Sequence, residues 1–184
     1  MGITVLHEQA GDRVSPITKI HQGEFASEAG WTILGDDTAN LTSDVTHVLG
    51  TKSLEFDKAN GGDNTKLAAV YRTIAWDWTG IRPTDYLMAG VYCSALTLVD
   101  YAFIRIGTDA SHYAEYQFPD TSMQAGWSLF NVAIGAPTSQ TGNGPAWDAL
   151  TYILVGVAFD AETNLLGDIF WNFVGFQRAL LTKT

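Results

Sequence analysis

The sequence predicts an all-β protein, a two-sheet antiparallel sandwich with little helix. Three observations carry this expectation. Apolar and polar residues alternate with a period of two in run after run from Lys52 to the C-terminus, which sends successive side chains to opposite faces of a strand. The intervals between runs collect Gly, Asp, Asn, Pro and Ser, the residues that bend or stop strands. No stretch keeps an apolar stripe at helical spacing, and no internal repeat of roughly 20 to 50 residues is visible, which argues against a solenoid or a propeller. With 46% hydrophobic, 12% aromatic and 16% charged residues in a chain of 184, one large core can form without disulfide or metal staples.

Taken in order, residues 1–22 differ in character from the rest of the chain. They are mixed and polar, and His7, Arg13, Lys19 and His21 give them an unusual share of the few positive charges. The stretch reads either as an arm that orders against a partner or as an edge strand. In the arm reading, Ile3, Val5, Ile17 and Ile20 dock by burial, and Arg13 and Lys19 pair with acidic partner surfaces. Residues 23–184 then form the sandwich domain.

"KSLEFD" sets Leu54 and Phe56 against Ser53, Glu55 and Asp57, and "KANGGDN" turns the chain. "LAAVYRTIAWDW" reads as one long strand with Val70, Arg72, Ile74, Trp76 and Trp78 on one side. "YLMAGVYCSALTLV" is apolar enough for a central strand. "YAFIRIG" and "YAEYQF" flank the tip Gly107-Thr108-Asp109-Ala110-Ser111, "WSLFNVAI" comes next, and "TYILVGVAF" and "IFWNFVGF" close the chain. Between "WSLFNVAI" and "TYILVGVAF", "TSQTGNGPAWDAL" has room for one short helical turn. Roughly eight strands fit between Thr51 and Phe176, enough for two sheets face to face.

Charge and chemistry narrow the function classes. Ten basic against twenty acidic residues leave a net charge of −10, so the field that draws proteins onto phosphate backbones or anionic lipid is missing, and neither nucleic acid nor membrane is an expected partner. The start, "MGITVLHEQAGDRV", has neither a basic region nor an apolar run of signal-peptide length, so export is not expected. The lone Cys93 sits in an apolar run and reads as a small buried hydrophobe. Asp109, Ser111 and His112 are the right types for a nucleophile, a base and an orienting carboxylate, but neighbours on one hairpin tip do not align as a relay. They read as turn residues. Carboxylate pairs such as Asp36-Asp37, Glu55-Asp57 and Asp160-Glu162 are expected by chance among twenty acidic residues, and motifs for zinc, phosphate or an esterase elbow are missing. The expectation is a protein that is not an enzyme. Exposed aromatics are the rival signal: Trp76, Trp78 and Trp147 are candidates for stacking on sugar rings, whereas Trp127 and Trp171 read as core.

The runs "HVLGTKSLEFDKANGG", "LTLVDYAFIRIGTDASHYAEYQF", "GWSLFNVAIGAP", "TGNGPAWDALTYILVGVAFD" and "LLGDIFWNFVGF" together resemble the jelly-roll domains shared by carbohydrate-binding modules and phage virion structural proteins. The resemblance covers roughly Glu24 to Phe176 and makes the expected sandwich a jelly-roll; its many weak positions specify a fold better than a ligand. It implies, first, a non-enzymatic virion protein, a capsid decoration or a tail component that contacts other virion proteins or copies of itself, with glycan binding as an additional property and the virion as its location. The alternative is a carbohydrate-binding module that stacks sugars on exposed aromatics, and a more distant one is a glycan-cleaving enzyme. No cofactor is expected. Many of these jelly-rolls hold a structural Ca²⁺ through an aspartate on the closing strand. Here that place reads Phe170-Trp171-Asn172, so a calcium site is weakened by one charge, with Glu24, Asp57 and Asn172 as its candidate ligands.

Overall fold

The computed structural model describes residues 18–46, 48–61, 65–73, 75 and 81–177. Its strands are β1 (Thr18–His21), β2 (Thr32–Ile33), β3 (Thr38–Asp44), β4 (Ser53–Lys58), β5 (Leu67–Thr73), β6 (Tyr86–Cys93), β7 (Val99–Asp109), β8 (His112–Pro119), β9 (Gly126–Ala133), β10 (Ser139–Thr141), β11 (Tyr152–Phe159) and β12 (Leu166–Gln177). Helix, among the described residues, is limited to two 3-10 turns, Gly23–Phe25 and Asp120–Ser122. One six-stranded sheet runs β3-β4-β12-β6-β9, with β1 also paired to β12; the second, also of six strands, runs β10-β8-β7-β11-β5-β2. The described pairings are antiparallel. The fold is the expected β-sandwich.

The core arises from alternation. In β7, Ala102, Ile104 and Ile106 point inward, and in β11 so do Ile153, Val155, Val157 and Phe159, all nearly or fully buried. The other sheet answers with Leu54, Phe56, Leu87, Val91, Ile169, Trp171, Val174 and Phe176. Facing layers of this kind interdigitate to form a sandwich core ~10 Å thick. At one margin Phe118 of β8 stacks on Phe130 of β9, ring centroids 4.0 Å apart, and the Tyr116 hydroxyl donates to the Ile134 carbonyl at 2.6 Å. At the other, Phe25 and Trp31 lie 4.9 Å apart, and the Trp31 indole donates to the Glu24 carbonyl. Cys93 is buried, and burial pushes its thiol up to about 12.

Several elements differ from the sequence reading. The long strand predicted through Trp78 is described only as far as Thr73, where β5 ends. The stretch predicted to hold a helical turn forms β10, then a reverse turn closed by Ala149 N–H donating to the Ala146 carbonyl, because Pro145 and two positive-φ glycines, Gly142 and Gly144, do not sustain a helix. Within residues 1–22, Thr18–His21 is a strand against β12. Trp171 is fully buried, as expected. Trp127 is not in the core. It lies on the outer face of β9, opposite in direction to Phe130, and packs edge-on to Tyr92 at 5.6 Å. On that outer face Trp127 is half-buried against Tyr92, while Leu129, two residues on, is 65% exposed.

Candidate functional site

The outer face of the second sheet carries a cluster separate from the core: Ala69, Phe103, Tyr152 and Leu154, flanked by Tyr71 and Tyr101. Strand register explains their assembly. Across the sheet, Thr32, Tyr71, Leu154, Arg105, Glu115 and Ser139 lie side by side in one row. The next row is Thr73, Tyr152, Gly107, Tyr113 and Thr141. On the other side lie Ala69, Gly156, Phe103 and Gln117. Each belongs to the outward half of an alternating strand, so residues scattered over a hundred positions of sequence share one surface.

Small residues shape the surface. A Cβ at Gly156 would meet the tip of the Phe103 ring at 2.8 Å, so the glycine lets that ring lie down on the sheet. A Cβ at Gly107 would meet the Tyr113 Cβ at 2.7 Å. Gly107 thereby leaves a gap between Tyr152 and Tyr113.

Polar groups sit among these rings. The Arg105 guanidinium lies 5.1 Å from the Phe103 centroid and 4.9 Å from that of Tyr113. Its Nε pairs with Glu115 Oε2 at 2.6 Å, while Gln117 Nε2 donates to Glu115 Oε1 at 2.6 Å. Charge-assisted contacts of this geometry hold the arginine flat between the rings. Burial pushes the Tyr152 hydroxyl up to about 12, and raises that of Tyr101 above its ordinary value. These phenols are therefore neutral hydrogen-bond donors at physiological pH. At one end of the face Asp100, Tyr101, Gln117, Pro119 and Thr138 border a shallow hollow. Phe103 is fully buried and Tyr152 only 7% exposed, so they form the floor of this surface. The half-buried rings of Tyr71, Tyr101 and Tyr113, with neutral hydroxyls, an amide and a fixed guanidinium beside them, are the groups that can stack on C–H-rich rings and bond their hydroxyls.

The predicted site residues are distributed differently. Trp76 and Trp78 lie outside the described residues, as do Ile3, Val5, Arg13 and Ile17. Lys19 and Ile20 belong to β1, where Ile20 is 43% exposed. Trp147 is half-buried at the end of the sandwich, away from the tyrosine face, beside Pro83 and Pro137.

Of the candidate calcium ligands Glu24, Asp57 and Asn172, the fold does not bring Asp57 and Asn172 together. Asn172 is fully buried; its Oδ1 accepts from Val48 and Leu49 N–H, and its Nδ2 donates to the Leu49 and Lys52 carbonyls. An amide spent in this way presents no oxygen to a cation. Asp57 accepts from Asn40 Nδ2 at 2.6 Å and from Asp168 N–H at 2.9 Å. Since Leu54 pairs with Trp171, Asp57 stands about 13 Å along the sheet from Asn172 at ~3.3 Å per residue. Among the described residues no group of three or more His, Cys, Asp or Glu could hold a metal ion.

The hairpin tip is a turn. Ser111 donates its backbone N–H to Asp109 Oδ1 at 2.7 Å, and His112 Nδ1 lies 3.0 Å from the same oxygen, with both ionisable side chains half exposed. The Ser111 N–H, then the His112 ring, hold the Asp109 carboxyl below its usual range. The tyrosine face was missed by sequence reasoning, which weighed tryptophans alone. The signal was present as tyrosines on the polar half of alternating strands.

No protein-family profile matches the chain, and no curated protein matches it. Solved structures do. The family 11 carbohydrate-binding module of a cellulosomal cellulase of Clostridium thermocellum aligns over 91% of this chain and 98% of its own, with a TM-score of 0.59 and 10% identity. A carbohydrate-binding module specific for non-crystalline cellulose, of family 28, aligns over 85% and 92%, with 0.54 and 16%. A carbohydrate-binding module of the β-sandwich superfamily, described as promiscuous in specificity, aligns over 89% of this chain and 62% of its own, with 0.58 and 10%; there the chain spans less than two thirds of its counterpart. At these identities the likeness is one of fold. The chain has the jelly-roll β-sandwich that carbohydrate-binding modules share.

Proposed function

We propose that this protein is a non-catalytic carbohydrate-binding module, and that the outer face of the β10-β8-β7-β11-β5-β2 sheet is where it holds a polysaccharide. The observation that carries this is the array of Tyr71, Tyr152 and Tyr113 around the Arg105–Glu115–Gln117 group, laid across adjacent strands of one sheet. Two sheet faces compete for this role. The outer face of the other sheet offers the row Phe170, Tyr92 and Trp127, with fewer polar groups to meet sugar hydroxyls. The tyrosine face offers both stacking and hydrogen bonding, and the hydroxyls of Tyr71, Tyr101, Tyr113 and Tyr152 have no partner among the described residues. Solved structures of the same fold include three carbohydrate-binding modules, alongside an exo-β-agarase of which the chain spans 26%, and they lend nothing to a virion role. That likeness favours glycan binding, the alternative drawn from the sequence, over the first choice.

The test is retention on polysaccharides. Amorphous cellulose is the first probe, since one module of this fold is specific for the non-crystalline polymer, and soluble β-glucans in affinity electrophoresis are the second. The chain is expected to be retained on at least one of them. Tyr71→Ala and Tyr113→Ala should each weaken binding by about two- to tenfold, the equivalent of the ~0.5–1.5 kcal/mol of one aromatic contact. A chain that no polysaccharide retains, or a Tyr71→Ala/Tyr113→Ala double variant that binds like the parent, overturns the proposal.

A further inference from the structure

A second polar and aromatic feature lies away from the tyrosine face, at the end of the sandwich. Ile81, Arg82, Pro83, Pro137, Gln140 and Trp147 line a cavity of about 260 Å³ there. Its shape has local causes. Ile134 N–H donates to the Asp85 carbonyl and Gly135 N–H to the Pro83 carbonyl, both at 2.8 Å, so the segment after β9 is strapped to the segment before β6. A Cβ at Gly135 would meet the Pro83 Cβ at 2.8 Å, so a glycine is needed for that approach. Behind it, the Arg82 backbone N–H donates to Asp85 Oδ2 at 2.9 Å and fixes the turn that presents the arginine.

Arg82 is the anomaly. Among the described cationic side chains, Lys58 and Arg105 are ion-paired, and Lys52, Lys66 and Arg72 donate to protein oxygens. The Arg82 guanidinium has no such partner among the described residues, nor does the Gln140 amide or the Trp147 indole N–H. Arg82 is exposed, and in a chain of net charge −10 its pocket presents one guanidinium without an ion-pair partner and no carboxylate among the described residues that line it. An unpaired guanidinium offers a planar fork that matches a carboxylate bidentately. The volume falls below the ~300–1,000 Å³ usual for drug-sized ligands, so the pocket suits a single ring. Trp147 and the two prolines supply an apolar wall for such a ring, and Gln140 supplies hydrogen bonds to its hydroxyls.

The geometry points to a second, end-on site for a carboxylate-bearing sugar, a terminal hexuronate, with its ring against Trp147 and its carboxylate on Arg82. This site is separate from the tyrosine face and does not depend on that face binding polysaccharide. The test tracks the Trp147 indole N–H by NMR in ¹⁵N-labelled full chain, its signal identified by loss in Trp147→Phe. Galacturonate or glucuronate is expected to move that signal saturably, with galactose, glucose and acetate at least about tenfold weaker, since a charge-assisted bond and a stacked ring must act together. Arg82→Gln should weaken the uronate by about tenfold or more, while Tyr71→Ala leaves it unchanged. An equal response to neutral hexose, an equal response to acetate, no response to uronate, or an unaltered response in Arg82→Gln would each overturn the proposal.

Discussion

Asp57 and Asn172 are the polar residues whose environments say most about how this chain is held. Asn40 and Asp168 are the described non-glycine residues with positive φ, at 53° and 59°. Each sits where the register slips, Asn40 between Ala39 and Thr42 of β3, Asp168 between Leu166 and Ile169 of β12. The two bulges flank β4, and the Asp57 carboxylate bonds both of them. Such bulges carry strain that needs local compensation, and one carboxylate provides it on both sides. Asn172 does the equivalent for the 48–52 loop. Asn172→Ala strands two N–H groups and two carbonyls. Each orphaned buried group costs ~1–3 kcal/mol, and partial rehydration of the exposed loop lowers the sum, so we expect about 3 kcal/mol of destabilisation in urea unfolding. Asn172→Asp keeps the two accepted bonds but turns a buried carboxylate oxygen toward the Leu49 and Lys52 carbonyls, so at neutral pH it should destabilise at least as much as alanine. A loss below about 0.5 kcal/mol, the level of an ordinary surface change, would contradict this role.

At the level of elements, the sheet's edge is locked by a buried ion pair. Lys58 ends β4, and its Nζ lies 3.3 Å from Asp37 Oδ2 with both side chains fully buried. The ammonium also donates to the Ala59 and Glu162 carbonyls. Asp37 in turn accepts from Gly61 N–H and from the Thr65 N–H and hydroxyl. This group ties the start of β3, the end of β4, the turn before β5 and the β11–β12 connection together. Removing one partner leaves an uncompensated buried charge, which costs ~3–5 kcal/mol, whereas replacing both by apolar groups can be nearly neutral. Lys58→Met is therefore expected to destabilise the chain by about 3–5 kcal/mol, and Asp37→Leu added to it should recover part of that loss. If the double variant is less stable than Lys58→Met alone, the carboxylate's other bonds outweigh the ion pair.

For the whole molecule, burial of phenols makes stability depend on alkaline pH. The Tyr152 hydroxyl is pushed from 10.0 to about 12, by burial first, and burial raises Tyr116 in the same direction. The unfolded chain releases these protons at lower pH than the folded one. The stability each contributes is therefore complete below pH ~10, the unfolded value, and is lost as pH rises through the folded value. The urea midpoint should fall between about pH 10 and 12, with a shallower fall in Tyr152→Phe. An unchanged slope in that variant would show that the phenol is no more protected folded than unfolded. Asp109 acts in the opposite sense: its lowered carboxyl contributes stability above the unfolded value, lost as acid protonates it.

The fold class was legible in the sequence because period-two alternation is a local property, and each run declares its own two faces. So was the hairpin tip, since Gly107, Asp109 and Ser111 carry their turn chemistry within a few positions. The tyrosine face was not. Tyr71, Arg105, Tyr113 and Tyr152 each occupy an ordinary outward position, and only strand order and register place them in adjacent rows. The same holds for Asn172, which as sequence looked like a weakened calcium ligand and in the fold is consumed by a loop more than a hundred residues earlier. Trp127 shows the limit in reverse: its strand was read correctly, but which side of the sheet it faces depends on a neighbour, Tyr92, that only β6–β9 pairing supplies. Short-range periodicity is written in the chain, whereas a surface made of residues from four strands exists only once long-range pairing has chosen their neighbours.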